Sequence, residues 1–167
     1  MKSLLIVLFF SLVSFAQTTN QRVIDQKSGK PVLVGICDRD AFKDTSFAWW
    51  FNSEYENYDV DKETLANIKM DNEFHSITIV MGTWCSDSRR EVPRFYKILD
   101  FLKFPSEKVK LIMVDRKKGA AEVDISSLKI ELVPTIIFYN DGLEIGRIIE
   151  SPKESLEKDL AAILMKK

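Results

Sequence analysis

An α/β fold is predicted by three observations along the second half of the chain. Two short apolar runs rich in β-branched residues, 77–81 and 109–114, lack polar alternation and read as strands buried on both faces. Between them Val92, Phe95, Leu99 and Leu102 recur three or four apart, which places them on one stripe of a helix over 86–102. Beyond them two more runs, 133–139 and 143–149, are joined by Asn140-Asp141-Gly142, whose Asp-Gly pair is a strong hairpin signal.

The remaining elements follow in chain order. Residues 17–31 are polar and punctuated by Gly29 and Pro31, so a loose lead-in is expected. The apolar run 32–36 reads as an edge strand. Phe47, Trp49, Trp50, Phe51, Tyr55 and Tyr58 then recur at helical spacing among acidic residues. So many aromatics could form a docking surface, but their large burial area favours packing onto the sheet. A short helix is expected over 61–68, with Asp61 as its N-cap. His75 stands in a polar stretch and reads as a surface residue. A weaker helical segment is expected over 120–128. Pro152 is placed at about the first position of a last helix, whose stripe is Leu156, Leu160, Ile163 and Leu164.

Composition sets limits on function. At 167 residues the chain fits one domain of ordinary size. Its net charge is −1 and no basic run or face dominates, which argues against a nucleic-acid partner. Lys2 followed by an apolar stretch, residues 4–13, and by Ser14-Phe15-Ala16 has the form of a cleaved signal peptide, residues 1–16, with the mature chain starting at Gln17. The stretch is too short to span a bilayer, so a secreted or periplasmic protein without stable membrane insertion is expected. A monomer is expected as well. Export puts Cys37 and Cys85 in a compartment where thiols tend to pair. Two cysteines and a distant His75 do not make the usual four-ligand zinc set, so no metal is expected.

Cys85 carries the chemistry. It lies just past a buried strand and just before a helix, where unpaired amides and the helix dipole favour negative charge on sulfur. Arg89 and Arg90 act in the same direction, while Asp87 and Glu91 oppose them. The plainer reading is a buried structural thiol, a common fate of free cysteine. Cys37 has three open readings: a core thiol, a disulfide partner of Cys85, or a resolving cysteine supplied by the N-terminal segment.

Trp84-Cys85-Ser86-Asp87-Ser88, with Pro93 five positions beyond Ser88, resembles the active-site segment of thioredoxins and the proline in their helix. Val133-Pro134-Thr135 is similar to the loop whose cis-proline faces the active-site sulfur, and Asn140-Asp141-Gly142 matches the turn of the final hairpin. The likeness covers residues 77–167. It implies a thioredoxin-like fold, with a mixed central sheet and helices on both faces, preceded by an N-terminal helical extension over residues 17–76 that packs on the core.

The resemblance also implies roles. Cys85 is the nucleophile; from the residues themselves, Ser88 one helical turn away can donate a hydrogen bond to its thiolate, and Arg89 favours the charged form. Trp84, Ser86, Asp87, Val133, Pro134 and Thr135 border the substrate, and the partners are protein or small-molecule thiols and disulfides. No cofactor is needed, since sulfur itself carries the electrons. Two departures matter. Thioredoxins have a second cysteine where this chain has Ser88, and a buried acid where it has Ile79, so both groups of the resolving half-reaction are missing together. A peroxiredoxin-type thiol wants a threonine three residues before its cysteine, and Gly82 stands there. The expected activity is therefore a monothiol (CxxS) thiol-disulfide oxidoreductase. The alternative is a non-catalytic peptide-binding or chaperone module on the same fold.

Overall fold

The structure, a computed structural model, describes residues 19–66, 68, 70 and 74–165. The expected signal region and the Gln17 start lie outside the described residues.

Six strands form one sheet among these residues: β1 (Gln21–Ile24), β2 (Pro31–Cys37), β3 (His75–Met81), β4 (Val109–Met113), β5 (Thr135–Asn140) and β6 (Leu143–Ile149). Their order across the sheet is β1-β2-β4-β3-β5-β6. β3 and β4 run parallel, and every other neighbouring pair is antiparallel, so the sheet is mixed. β3 lies between β4 and β5, which is why its last five residues are buried without alternation. At the β5–β6 turn Asp141 (φ 50°) and Gly142 (φ 75°) both take the left-handed conformation that a tight two-residue hairpin turn requires.

Two corrections concern the N-terminal region. The run at 32–36 is not an edge strand: β2 pairs with β4 on one side and with β1 on the other. The lead-in supplies β1, because Asp25 accepts the Ser28 amide and Gly29 (φ 67°) donates to the Asp25 carbonyl, closing a turn that folds β1 back on β2. The sheet therefore runs across the boundary expected at residue 76.

The α-helices are α1 (Thr45–Asn57), α2 (Lys62–Leu65), α3 (Ser86–Phe101) and α4 (Leu156–Leu164). Asp44 begins α1 by accepting the Ser46 amide, and Asp61 accepts the Thr64 amide as the N-cap of α2. The last helix starts later than Pro152. Ser155 caps it by accepting the Lys158 amide, and Asp159 takes the Lys153 and Glu154 amides, which holds the residues after Pro152 in a turn.

All four helices serve one face of the sheet. Ile77, Ile79 and Met81 meet Phe95 and Leu99 of α3, Phe47, Trp50 and Phe51 of α1, and Leu156 and Leu160 of α4 in the larger core. Phe95 packs edge-on to Phe138 at 5.8 Å. The aromatics of α1 are thus mostly packing residues, with Trp49 left exposed.

The other face carries a smaller cluster of Val80, Ile112, Val114, Ala120 and Val133. Helical cover there shrinks to a 3-10 turn, Ser126–Leu128, where a longer helix was expected over 120–128. Asp115 captures the Lys117 and Gly119 amides, Asp124 captures that of Ser126, and Lys118, Ala121 and Lys129 have positive φ, so the segment is divided into short turns.

Candidate active site

The crossover from β3 to α3 is built to hold a tight turn. The Cys85 amide donates to the Gly82 carbonyl (2.9 Å), and the Cys85 carbonyl accepts the first helical bond from Arg89 (3.1 Å). Cys85 is thereby the N-cap residue of the sixteen-residue α3, and no side chain caps that end. The first-turn amides of α3 are left without a side-chain partner at the end that Cys85 caps.

Gly82 is required on steric grounds, since a Cβ there would stand 2.5 Å from Trp84 Nε1. The indole fills that space, and its Nε1–H donates to the Val114 carbonyl at the end of β4 (2.8 Å). From the other side the Arg116 guanidinium lies 5.0 Å over the Trp84 ring and is itself paired with Asp25 at 3.0 Å. Arg116, with help from Ser28, holds the Asp25 carboxyl down at about 2. Thr83, almost fully buried, accepts the Leu33 amide through Oγ1 (3.2 Å). The β1–β2 hairpin thus braces the turn that presents Cys85.

The sulfur faces the loop before β5. Cys85 Sγ donates to the Val133 carbonyl at 3.1 Å, and the following Val133–Pro134 bond is cis. Thr135 is buried, and its hydroxyl donates back to the Leu132 carbonyl (2.7 Å). Trp84 and Cys85 are partly exposed, Ser86 is exposed, Asp87 is partly exposed, and Val133 and Pro134 are buried beneath the groove. Leu132 and Ile149 add exposed apolar surface, and Thr135 pairs with Ile149 across β5 and β6.

The structure gives two of the expected site residues other partners and sets a third, Cys37, apart. Ser88 is fully buried and its Oγ accepts the Gly82 amide (3.4 Å); no hydrogen bond joins it to Cys85. Ser88 faces inward from the first turn of α3 and closes the β3–α3 turn instead. Arg89 donates through Nε to the Thr83 carbonyl (2.6 Å), so it too fastens the turn. Cys37 is not brought to Cys85. Both are free, Cys37 belongs to the core on the helical face, and Cys85 packs against the cluster on the other. In register Cys37 is level with Leu111 and, through it, with Ile79, while Cys85 lies four residues past the far end of β3. Burial pushes the Cys37 thiol up to about 12. His75 is half-buried.

Gly82, Thr83, Val114, Arg116 and Asp25 were not legible as site residues. Only Gly82 offered a signal, a glycine two residues before a tryptophan in a strand-to-helix turn. No group of three or more His, Cys, Asp or Glu side chains able to hold a metal occurs among the described residues. None of their helices is long and apolar enough to cross a membrane.

A mixed sheet with a parallel β3–α3–β4 unit, a closing antiparallel hairpin and helix, a cysteine capping α3 and a cis-proline opposite its sulfur define a thioredoxin-like α/β fold. No protein-family profile matches the chain, and no curated protein matches it in sequence. Among solved structures it is similar to thioredoxin O2 from Arabidopsis thaliana in its oxidized state, at 22% identity over 53% of this chain and 72% of that one, with a TM-score of 0.35. Thioredoxin from Trypanosoma brucei brucei is similar at 22% identity over 62% of this chain and 86% of that one, with a TM-score of 0.38. A protein of unknown function from Pseudomonas aeruginosa matches at 21% identity over 69% of each chain, with a TM-score of 0.40. Likenesses this distant carry no chemistry across, and the site's own geometry has to supply it.

Proposed function

We propose that the protein is a secreted or periplasmic thiol-disulfide oxidoreductase of monothiol type that acts through Cys85 on protein or small-molecule disulfides. The observation that carries this reading is the Cys85 sulfur, partly exposed at the N-cap of α3 and 3.1 Å from the Val133 carbonyl. As a thiolate, Cys85 attacks one sulfur of a substrate disulfide. A Cys85–substrate disulfide forms, the substrate's S–S bond breaks, and the leaving thiolate takes a proton from water. A second, external thiol then attacks the mixed disulfide, returning Cys85 to the reduced form and leaving with the substrate sulfur as a new disulfide.

The second thiol must come from outside. The hydroxyl of Ser88 cannot displace sulfur, Ile79 holds no proton, and Cys37 lies on the opposite face of the sheet. Next to the sulfur, the backbone around Val133, Pro134 and Thr135 and the exposed side chains of Leu132 and Ile149 offer an extended substrate both polar and apolar contacts. Location rests on the basic-then-apolar pattern of residues 1–16.

The test is to incubate the reduced protein with hydroxyethyl disulfide and map the adduct by mass spectrometry. A mixed disulfide on Cys85 is expected, one that persists until a free thiol is added. Ser88→Cys is expected to shorten its lifetime by allowing internal attack. If wild type forms no adduct on Cys85, or Cys85→Ser forms as much adduct as wild type, the chemistry is elsewhere and the peptide-binding alternative takes its place.

A further inference from the structure

The end of the sheet away from Cys85 holds a cavity of about 230 Å³ between the last residues of β2, the start of β4 and the C-terminal half of α3. Its walls are Tyr96, Leu99, Phe104, Leu111 and the Cys37 thiol, all buried, with Val109 half-buried beside them. Asp38, Asp100 and Glu107 are exposed and stand at its mouth, with Arg39 half-buried between.

One polar group in it is unused. Tyr96 is only 6% exposed, yet its hydroxyl has no hydrogen-bond partner among the described residues. No side-chain oxygen or nitrogen among them is both fully buried and unpartnered, so this hydroxyl keeps contact with open space, and the cavity is the space that Tyr96 lines. The polar groups next to Tyr96 are engaged. Arg39 is paired with Asp100 at 2.8 Å and lies 4.9 Å over the Tyr96 ring, and the Tyr55 hydroxyl donates to Asp100 at 2.6 Å. Open to the cavity and bonded to no protein group among the described residues, this hydroxyl is free to donate to a molecule that enters.

We propose that this cavity is a second ligand site, separate from Cys85, for a small uncharged molecule: one aromatic or alicyclic ring carrying a carbonyl or ether oxygen that accepts the Tyr96 hydroxyl hydrogen. Size sets the ring, since a cavity of about 150 Å³ holds benzene and this one adds room for a short substituent. The apolar walls set the body of the ligand. Charge sets the rest: with Asp100 paired to Arg39, Asp38 and Glu107 leave the mouth negative and repel an anion, while an ammonium group has no acceptor to offer the Tyr96 hydroxyl. Burial pushes the Tyr96 phenol up and the Cys37 thiol up to about 12, so both groups meet the ligand protonated, as donors.

Acetophenone, ethylbenzene and benzoate are matched probes, since they share a ring and differ in the acceptor and in charge. In a methyl-labelled NMR titration, acetophenone is expected to shift the Leu99, Val109 and Leu111 methyls saturably and to leave those of Leu132 and Val133 near Cys85 unmoved. Ethylbenzene should bind more weakly, and benzoate should not bind. Tyr96→Phe should raise the acetophenone Kd about three- to tenfold, the worth of one hydrogen bond, without changing that of ethylbenzene. Because the hydroxyl has no protein partner, this variant should also lose no thermal stability. Val109→Phe, which fills the cavity from its mouth, should abolish binding in either case. Absence of saturable shifts, equal binding of benzoate, or an unchanged acetophenone Kd in Tyr96→Phe would each overturn the proposal. No redox step is involved, so failure here leaves the Cys85 reading intact, and failure at Cys85 leaves this one intact.

Discussion

Cys37 ends a strand of the sheet and Cys85 caps a helix that leaves it, and the two differ in exposure and in neighbours. Cys85 caps a long helix, is partly exposed, and touches the Val133 carbonyl. Cys37 ends an inner strand among leucines and aromatics, is 5% exposed, and is held protonated by its burial. Exposure follows from where the chain leaves the sheet: β3 leads to Cys85 at a helix N-terminus, whereas β2, running the other way, turns Cys37 into the helical core. The largest consequence is kinetic. At pH 8 a thiol at about 12 is ionised in only about one molecule in ten thousand. Iodoacetamide at that pH should therefore label Cys85 and leave Cys37 unlabelled until denaturant is added, read by peptide mapping. Equal labelling of the two in the folded protein would erase the contrast.

The next prediction attacks the Cys85 side alone. In Gly82→Ala the new Cβ meets the Trp84 indole at 2.5 and 2.6 Å, contacts that force the ring or the turn to move. Overpacking of this kind costs about 1–3 kcal/mol, and here it should also slow adduct formation at Cys85 while Cys37 stays protected. Denaturant melts and the adduct rate check the two halves separately. A variant with a displaced Trp84 but an unchanged rate would show that the indole is packing rather than part of the site.

Cys37→Ser tests the other side with a smaller effect. It places a hydroxyl where a thiol lies among Leu111, Leu99 and Tyr96, at a cost of about 1–3 kcal/mol unless the cavity supplies a partner. Chemical denaturation should show that loss, with the rate of disulfide exchange at Cys85 unaltered. Slower release of substrate in this variant would instead mean that Cys37 reaches Cys85 in solution.

What the sequence disclosed and what it withheld divide along the same lines. The 77–81 run, the α3 stripe and the Asp-Gly turn were legible because each is local: burial on both faces, a 3.6-residue period and a pair of positive-φ positions all leave marks within a few residues. Cys85 was legible from its place between a buried strand and a helix, and Trp84 and the Val133-Pro134-Thr135 loop through the resemblance to thioredoxins. The pairing of β2 with β4 was not, since residues 32–36 read the same at an edge as inside a sheet. Nor was the bracing of Trp84 by Arg116 and Asp25, because 91 residues separate those partners and nothing in either neighbourhood marks the other. Ser88 was assigned to Cys85 from a one-turn spacing that is correct, but rotation about the helix points its hydroxyl inward to Gly82. The segment 120–128 failed as a helix because Asp115 and Asp124 offer side-chain partners to the amides on which a helix would build.

The smallest expected effect separates the two cysteines by pH. Arg116 is the link: it lies over Trp84, next to Cys85, and is held there by Asp25, whose carboxyl it keeps at about 2. A carboxyl depressed below its ordinary value near 3.8 contributes stability that is fully present above that value. The contribution fades as pH falls through about 4 and is gone below about 2. Protonated Asp25 releases Arg116, so Trp84 should loosen within that window, whereas the Cys37 side responds through its own carboxylates, Asp100 with Arg39 among them, and not through Arg116. Fluorescence of Trp84 in a Trp49→Phe, Trp50→Phe background reads the change directly. Asp25→Asn should produce the loosened signal at neutral pH and flatten the transition between about pH 4 and pH 2. A transition of full size in Asp25→Asn would assign it to another carboxyl and remove Arg116 from the support of the site.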